Sequence, residues 1–270
     1  MGSGVSEAAR SVAKAFVDAR RRAGTLLAYP GPVPADLAHA YSIQDHAIAI
    51  DGRAIAGWKV GRINPPDDAA LGADRLAGPI FADTVVSAGA SAAMPAMPVF
   101  AGGFAAAEAE LLLHVAPGFA GSVPADDAAT RALIDDVRLG IEIASSPYPG
   151  INADGPAVTT SDFGNNAGLV AGPSLPDWRE TDLCAIRVVT EIDGVEAGAA
   201  TAATMLDGPY GAVRFLLANL AARGIDASGG LWVSSGAITG VHPVHPGQVV
   251  LARFGDHGTI GCRITAAAPA

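Results

Sequence analysis

The chain is poor in cysteine, in positive charge and in long apolar runs. Its 270 residues include two cysteines, and neither Cys184 nor Cys262 lies in a CxxC pair or beside a histidine. Both fall in apolar, strand-like sequence. We therefore interpret them as core thiols of a cytoplasmic protein and assign them no chemistry.

The scarcity of positive charge limits the partners. There are 17 lysine and arginine residues against 27 aspartate and glutamate residues, which gives a formal net charge of −10. This balance argues against nucleic acid or an anionic membrane as a partner. It does not exclude an anionic substrate, because such a substrate needs only local positive charge or a metal.

Long apolar segments and several common catalytic motifs are missing as well. Glycine, proline and charged residues interrupt every apolar segment before it reaches the roughly 18 residues of a membrane span. GxSxG, Walker and dinucleotide-binding GxGxxG motifs do not occur in a convincing strand–turn–helix context. The function must therefore be sought in other patterns.

The hydrophobic content, 50% of the residues, is enough for a sizeable core. Near the start, apolar residues at helical spacing predict two helices, at 5–22 and 35–50. Together these helices are too short to bury a core alone. We therefore predict a helical N-terminal cap at 1–53 rather than an independent domain.

Short β segments punctuated by glycine and proline dominate from residue 54 onward. Asp193-Gly194 predicts a type I′ hairpin, and two further helices are predicted at 125–137 and 209–223. Because only four helices interleave with many short strands, a doubly wound parallel sheet is not expected. The sequence predicts an α+β fold with its main domain at 54–270, which the family resemblance given below implies to be the catalytic domain.

The segment EAELLLHVAP at 108–117 carries the clearest functional pattern. With a period of two, Glu108 and Glu110 fall on one face of a strand, while Ala109, Leu111 and Leu113 make the opposite face apolar. The two carboxylates are about 7 Å apart at the backbone. Carboxylates this close repel each other unless positive charge lies between them, and Mg²⁺ or Mn²⁺ is the natural candidate.

A third carboxylate lies in the apolar strand pattern RLGIEIASS. A lone Glu142 in such a strand is costly to bury unless it is paired or bound to a metal. The alternative is that Glu108 lies at a solvated strand end and Glu142 on an exposed edge. The spacing alone leaves both interpretations open.

Three other residues are candidates for proton transfer. Lys59 lies between glycines in the apolar strand GWKVG, where it can have a shifted pKa, pair with an anionic substrate, or extend its ammonium group to solvent at a strand end. Asp83 and Asp162 lie where β sequence meets a turn. From sequence alone, capping or turn formation explains both aspartates best.

Several segments in a fixed order resemble a known family. They are AYSIQ, GWKVG, GPIFAD, the two glutamates at 108 and 110, IEIASS, SDFGNNAGLVAG, GLWVSSGAITG and PVHPGQVVLARFGDHGTIG. Over nearly its whole length the chain resembles the 2-keto-4-pentenoate hydratase and 4-oxalocrotonate decarboxylase branch of the fumarylacetoacetate hydrolase superfamily.

The resemblance implies a mixed β-roll with a small helical N-terminal region. It implies Mg²⁺ or Mn²⁺ held by Glu108, Glu110 and Glu142. It also implies an active site lined by Lys59, Asp83 and Asp162 as catalytic residues, with Ser235 and Gly236 binding substrate. The partners it implies are a small 2-oxo acid and further copies of the chain in a homo-oligomer.

Three loops depart from the family pattern. Pro147 stands where relatives commonly have arginine, Phe163-Gly164 replaces Asn-Ala after Asp162, and Asp207-Gly208 replaces a His-Pro pair. These changes affect loops expected to face the substrate, so the length and charge of the substrate stay open.

The implied reaction is hydration of a 2-hydroxy-2,4-dienoate to a 4-hydroxy-2-oxo acid. One alternative is decarboxylation of a 2-oxo-3-enedioate, which needs an extra cation near the pocket, and Arg62 and Arg75 are candidates for that cation. Hydrolysis of an acylpyruvate is a third reaction, which requires a dedicated base. Another alternative is a catalytically silent subunit in a complex with a related decarboxylase or hydratase, although three retained carboxylates argue against it.

Overall fold

The fold is described from a computed structural model, in which residues 2–89 and 94–270 are described. The helices are α1 (Gly2–Arg21), α2 (Leu37–Asp51), α3 (Asp67–Leu71), α4 (Asp127–Ala132), α5 (Pro156–Ser161) and α6 (Gly208–Ala222). The strands are β1 (Ile55–Arg62), β2 (Arg75–Phe81), β3 (Val85–Ser87), β4 (Ala96–Val99), β5 (Phe104–Val115), β6 (Ile134–Ser146), β7 (Asn166–Ser174), β8 (Arg187–Ile192), β9 (Val195–Thr201), β10 (Leu231–Ser234), β11 (His242–Pro243), β12 (Val249–Phe254) and β13 (Thr259–Ala266).

The strands form two mixed sheets. The larger has the order β2-β1-β10-β5-β6-β7-β3, with β11 also pairing with β5, and the smaller has the order β4-β13-β12-β8-β9. Neighbouring strands are antiparallel except in the pairs β1–β10, β3–β7 and β4–β13. This is the α+β arrangement that the sequence predicts, and it contains no doubly wound parallel sheet among the described residues.

One apolar cluster joins both sheets and α6. From β5 it takes Ala109, Leu111 and Leu113, each at most 1% exposed, and from α6 it takes Leu216 and Leu217. The apolar face predicted for 108–117 is therefore confirmed. Because this face is used for the core, the opposite face of β5 is the one that carries the glutamates.

The N-terminal helices pack on a second apolar cluster, here called the cap cluster. It joins Phe16 of α1 and Ile43 of α2 to Phe81, Tyr148 and Phe163, which belong to the strand and loop regions. Helix α2 begins behind Asp36, whose side chain accepts a hydrogen bond from the backbone N–H of His39. The two predicted helices are confirmed, whereas a domain division at residue 53 stays a prediction.

The predicted helix at 125–137 is wrong in its second half. Helix α4 begins behind Asp126, which caps the N–H of Ala129, and ends at Ala132. Residues from Ile134 onward form β6 instead, because Ile134 and Val137 are buried and every residue from Leu139 to Ser146 is buried as well. The tertiary packing of a long strand overrides the local helical pattern.

The predicted hairpin is confirmed. Strands β8 and β9 are antiparallel and joined by Asp193 and Gly194, whose φ angles are 51° and 79°. Two successive positive φ angles define the type I′ turn, whose twist matches that of the flanking strands. The sequence predicts the first of these strands over 184–192, but residues 183–185 form a 3-10 turn and β8 begins at Arg187.

In the described part of the chain, none of the helices combines the length and the apolar character that crossing a membrane requires.

Replacing Phe16 with alanine tests whether the cap cluster stabilises the whole chain. The ring is fully buried, so its loss should lower the free energy of unfolding by roughly 3–5 kcal/mol in urea denaturation, in a single transition. Lys14→Ala on the exposed face of the same helix is the control, with an expected change within about 0.5 kcal/mol. Equal stability of the two variants would show that burial of Phe16 in the cap cluster does not stabilise the chain.

Candidate metal centre and active site

Three glutamates meet on the two central strands of the larger sheet. Glu108 of β5 lies directly opposite Glu142 of β6, and Glu110 lies opposite Gly140. All three are at most 5% exposed, and one carboxylate oxygen from each lies within 4.8 Å of the other two. The alternative of a solvated strand end and an exposed edge is therefore wrong for these residues.

Two of the three carboxylates have one oxygen bound by the protein and one left free. Glu110 Oε2 accepts hydrogen bonds from Ser234 Oγ and from the backbone N–H of Gly236, the latter at 2.9 Å. Glu142 Oε1 accepts one from Asn166 Nδ2 at 2.9 Å. Within the described residues, Glu110 Oε1 and Glu142 Oε2 receive no hydrogen bond. Buried carboxylate oxygens without donors are what a metal-ligand set requires before the metal binds.

Lys59 places a buried ammonium group beside this triad. Its strand, β1, pairs in parallel with β10, which in turn pairs with β5, so that Lys59 lies in register with Ser234. Lys59 Nζ lies 3.4 Å from Glu142 Oε2, at ion-pair distance, and donates to Asn165 Oδ1 at 3.3 Å. Burial alone would lower the pKa of Lys59, but the three carboxylates outweigh it and raise that pKa, so the amine is charged.

The carboxylates themselves are hard to ionise together. Burial raises the pKa of Glu108 to about 7, partly offset by the charge of Lys59 and reinforced by that of Glu142. Burial and the two neighbouring carboxylates raise the pKa of Glu110 well above its ordinary value. One ammonium group cannot balance three carboxylates, so the fully ionised site has two negative charges in excess.

A divalent metal fits this site on three grounds. It would balance the excess charge, it would satisfy the two carboxylate oxygens that lack donors, and an all-oxygen ligand set suits Mg²⁺ or Mn²⁺. Glu108, Glu110 and Glu142 are the residues that would hold it. The sequence resemblance predicts these three residues as metal ligands, and the fold brings their carboxylate groups together.

Glu108 is the member of the triad that lines a cavity of about 580 Å³. Lys59, Glu108, Ser235 and Gly236 line it, so four of the predicted site residues share one space. Ser235 Oγ is buried and has no hydrogen-bond partner among the described residues, which makes it available to a ligand. The role of Ser235 and Gly236 in substrate binding stays a prediction that their position suits.

Asp83 does not join the site. Its side chain is 59% exposed, and it pairs with Arg53 at 3.3 Å. In the pairing of β1 with β2, Lys59 lies opposite Gly78 and Ile55 lies opposite Phe81. Asp83 follows Phe81 and therefore lies beyond Ile55. Its distance from Lys59 along the sheet is about 13 Å or more. The cavity lining does not include it. Its position is that of a turn residue, as the local sequence suggests.

Asp162 lies behind the site rather than in it. Its side chain is fully buried and bound by the guanidinium group of Arg20, with Nε to Oδ1 at 2.6 Å and Nη2 to Oδ2 at 2.9 Å. It is likewise absent from the cavity lining. Direct proton transfer to a substrate by either aspartate has no support from these positions.

Three neutral residues with no role predicted from the sequence hydrogen-bond to the charged side chains of the site. These are Ser234, Asn165 and Asn166, which bind Glu110, Lys59 and Glu142. One sequence signal could have identified two of them: Asn165 and Asn166 are adjacent at the start of an apolar strand. Buried amides need specific hydrogen-bond partners, so this pattern indicates polar partners nearby. Asn152 and Thr159 add polar groups to the cavity wall, where Asn165 Nδ2 donates to Asn152 Oδ1 at 2.8 Å.

Comparison with known proteins identifies the fold. No protein-family model matches the sequence. A 4-oxalocrotonate decarboxylase of Pseudomonas putida is 29% identical over 134 residues, a match that covers 49% of this chain and 50% of that protein. The chain thus spans, in this alignment, about half the length of the curated relative that it matches.

Solved structures match over most of the chain. The 4-oxalocrotonate decarboxylase from Pseudomonas putida G7, complexed with magnesium and adipate, has a TM-score of 0.78 and 22% identity, covering 96% of this chain and 97% of that one. The fumarylpyruvate hydrolase from Pseudomonas aeruginosa, in complex with Mn²⁺ and pyruvate, has a TM-score of 0.56 and 16% identity, covering 78% of this chain and 89% of that one.

At these identities the structural likeness shows the fold alone, and it is the mixed β-roll that the sequence resemblance implies. The resemblance to the branch of the fumarylacetoacetate hydrolase superfamily that includes 4-oxalocrotonate decarboxylase is also confirmed.

Replacing Glu110 with glutamine tests the metal centre. The change removes one charge and one ligand oxygen but keeps the size of the side chain, so the affinity for Mn²⁺ should fall by more than about 100-fold. Electron paramagnetic resonance of free Mn²⁺ measures this affinity. Glu196→Gln on the exposed edge strand β9 is the matched control and should bind like the wild type. Unchanged affinity in Glu110→Gln would place the metal elsewhere.

Metal affinity should also depend on pH. The raised pKa of Glu108, about 7, means that protons occupy the metal-free site below that pH and compete with the metal. We expect Mn²⁺ affinity to rise with pH through about pH 7, by about tenfold per unit for each proton that the metal displaces from Glu108 and Glu110. Titration calorimetry in two buffers of different ionisation enthalpy would detect the released protons. An affinity independent of pH would contradict the description of the carboxylates.

Proposed function

We propose that this chain is a metal-dependent enzyme that acts on 2-oxo acids and stabilises the enolate form of its substrate. The observation that carries the proposal is the buried triad of Glu108, Glu110 and Glu142 beside the charged Lys59, with Glu108 and Lys59 lining a substrate-sized cavity. A site so costly to bury is expected to serve binding or catalysis.

The metal proposed for this site is Mg²⁺ or Mn²⁺. The two similar structures described above hold magnesium with adipate and Mn²⁺ with pyruvate. When bound, such a metal supplies positive charge for the carboxylate of a 2-oxo acid and for the negative charge that develops on its 2-oxygen.

Decarboxylation of a 2-oxo-3-enedioate is the reaction that the cavity favours. Arg62 and Arg75 both line the cavity that contains Lys59 and Glu108. Arg75 is buried and paired with Asp207, whereas Arg62 is exposed and has no acidic partner within ion-pair distance among the described residues. Arg62 is therefore available for the second carboxylate of a dicarboxylate substrate, which a monocarboxylate does not require.

The chain's own residues have distinct parts in this reaction. Arg62 binds the distal carboxylate, and Ser235 Oγ donates to the 2-oxo acid end. The bond to the distal carboxylate breaks, CO₂ leaves, and the electron pair moves through the conjugated chain to the 2-oxygen, giving a dienolate. Lys59, held charged beside Glu142, stabilises the negative charge and can donate a proton to the 2-oxygen, which gives the 2-hydroxy-2,4-dienoate.

Hydration of a 2-hydroxy-2,4-dienoate, the reaction that the sequence resemblance implies, is the second candidate. The polar cavity wall of Asn152, Thr159 and Asn165 favours it, because neutral hydrogen-bonding groups can order a water molecule beside the substrate. Addition of that water at the far end of the conjugated system would give a 4-hydroxy-2-oxo acid.

The remaining alternatives have less support. Hydrolysis of an acylpyruvate requires a dedicated base, and the described cavity lining contains no histidine. A catalytically silent subunit would have no need for the buried triad. A homo-oligomer, and a complex with a related decarboxylase or hydratase, stay predictions.

Product analysis with two substrates separates the two candidate reactions. With Mn²⁺ or Mg²⁺, the dicarboxylate 2-oxohex-3-enedioate should lose CO₂, and Arg62→Leu should raise its KM by more than about tenfold. Glu110→Gln should abolish turnover. Arg22→Leu on the exposed end of the first helical segment is the matched control and should leave KM unchanged.

The outcomes decide between the reactions. Metal-dependent loss of 2-hydroxypenta-2,4-dienoate without CO₂ release from the dicarboxylate would replace decarboxylation by hydration. Turnover of neither compound by protein that binds Mn²⁺ at the triad would contradict both reactions.

A further inference from the structure

A short turn delivers two amides to the candidate metal centre. We call residues 162–166, which connect α5 to β7 and include the first residue of β7, the asparagine turn. Asn165 accepts a hydrogen bond from Lys59 Nζ, and Asn166 donates to Glu142 Oε1. The second contact occupies Oε1 of Glu142 and leaves Oε2, which has no hydrogen bond but pairs with Lys59 Nζ at 3.4 Å, as the atom for a metal. The position of this turn therefore affects the orientation of the Lys59 ammonium group and the Glu142 carboxylate in the site.

The asparagine turn has an unfavourable backbone conformation. Phe163, Gly164 and Asn165 have φ angles of 56°, 60° and 57°, so three successive residues are left-handed and two of them carry a Cβ. Such a segment persists only when its surroundings hold it in place. On one side it lies against β2, where a Cβ on Gly78 would come within 2.0 Å of the Phe163 carbonyl oxygen.

On its other side the turn is held by one arginine from the N-terminal helix. The guanidinium group of Arg20 binds both carboxylate oxygens of Asp162, the first residue of the turn. It also donates to the backbone carbonyl of Asn166 at 3.0 Å, the last residue of the turn, and to that of Ser145 at 3.1 Å. A single side chain thus joins both ends of the asparagine turn to the end of β6.

The environment of Arg20 fits a planar guanidinium group and no other cation. Its side chain is 8% exposed, and its Cζ lies 5.4 Å from the Phe100 ring centre and 5.1 Å from that of Phe163. Ser146 Oγ donates to Asp162 Oδ2 at 2.7 Å and completes the hydrogen bonds of the carboxylate. Lysine could supply the charge but not the fork of donors or the flat faces.

We propose that Arg20 and Asp162 are positioning residues for the metal centre, acting through the asparagine turn on Asn166 and Glu142. Asp162, which the sequence resemblance implied as a catalytic residue, thereby affects the site without touching substrate. The inference rests on the metal site of the proposed function. It adds that helix α1 is a functional part of that site rather than only a cover for it.

The test measures Mn²⁺ binding to the purified, metal-free full chain by electron paramagnetic resonance. Arg20→Lys should weaken binding by roughly 10- to 100-fold and change the spectrum of the bound ion, because Glu142 loses its fixed orientation. Asp162→Asn, which keeps the shape of the side chain, should act in the same direction. Arg22→Lys, at the exposed residue directly after α1, is the matched control and should bind Mn²⁺ like the wild type.

A double-mutant cycle tests the route of the effect. In an Asn166→Ala background, Arg20→Lys should weaken Mn²⁺ binding by less than about twofold further, since the contact through which it acts is already lost. Thermal unfolding of each variant reports the folded fraction separately. Ser146→Ala, a milder change at the same carboxylate, serves if Arg20→Lys does not fold, and it should weaken binding as well.

The outcomes distinguish this inference from the proposed function. Wild-type protein that does not bind Mn²⁺, or binds it equally after Glu110→Gln, contradicts the metal site itself. Wild-type binding that depends on Glu110 but is unchanged in folded Arg20→Lys and Asp162→Asn contradicts the positioning role alone. Full additivity of Arg20→Lys and Asn166→Ala would also overturn the proposed route.

Discussion

The mutual repulsion of three buried carboxylates is the constraint on which the rest of this structure depends. Glu108 and Glu142 lie opposite each other on adjacent strands, with Glu110 two residues away, and the fold removes all three from water. Leaving such a group uncompensated is strongly destabilising. The sheet compensates from three directions, with Lys59 from β1, Ser234 from β10 and Asn166 from β7. A divalent metal would supply the positive charge that these groups do not.

The arrangement of strands follows from this requirement. The central position of β5 and β6 lets strands from distant parts of the chain contribute polar groups to the same face, while the opposite face builds the core. Farther out, Arg20 and Asp162 fix the turn that carries Asn165 and Asn166. The helical N-terminal region is thus linked to the site by an ion pair as well as by the cap cluster.

Local patterns predicted the parts of the site that a single strand determines. The alternation in 108–117 gave both faces of β5, whereas the isolated charges in RLGIEIASS and GWKVG left open whether Glu142 and Lys59 are buried or reach solvent. The partners of turn residues could not be predicted in this way, since Arg53 and Arg20 reach Asp83 and Asp162 only through the tertiary fold. Packing, not local sequence, also places Arg62 at the cavity. Packing likewise makes the second half of the predicted helix at 125–137 part of a strand.

The most direct test of the account is a crystal structure of the chain grown with Mn²⁺, with anomalous diffraction data collected at the manganese edge. The account predicts one strong anomalous peak about 2.2 Å from oxygens of Glu108, Glu110 and Glu142, with Glu110 Oε1 and Glu142 Oε2 as the ligand atoms. No peak at the triad, or a peak held by other residues while the three carboxylates bind only protein groups, would contradict it.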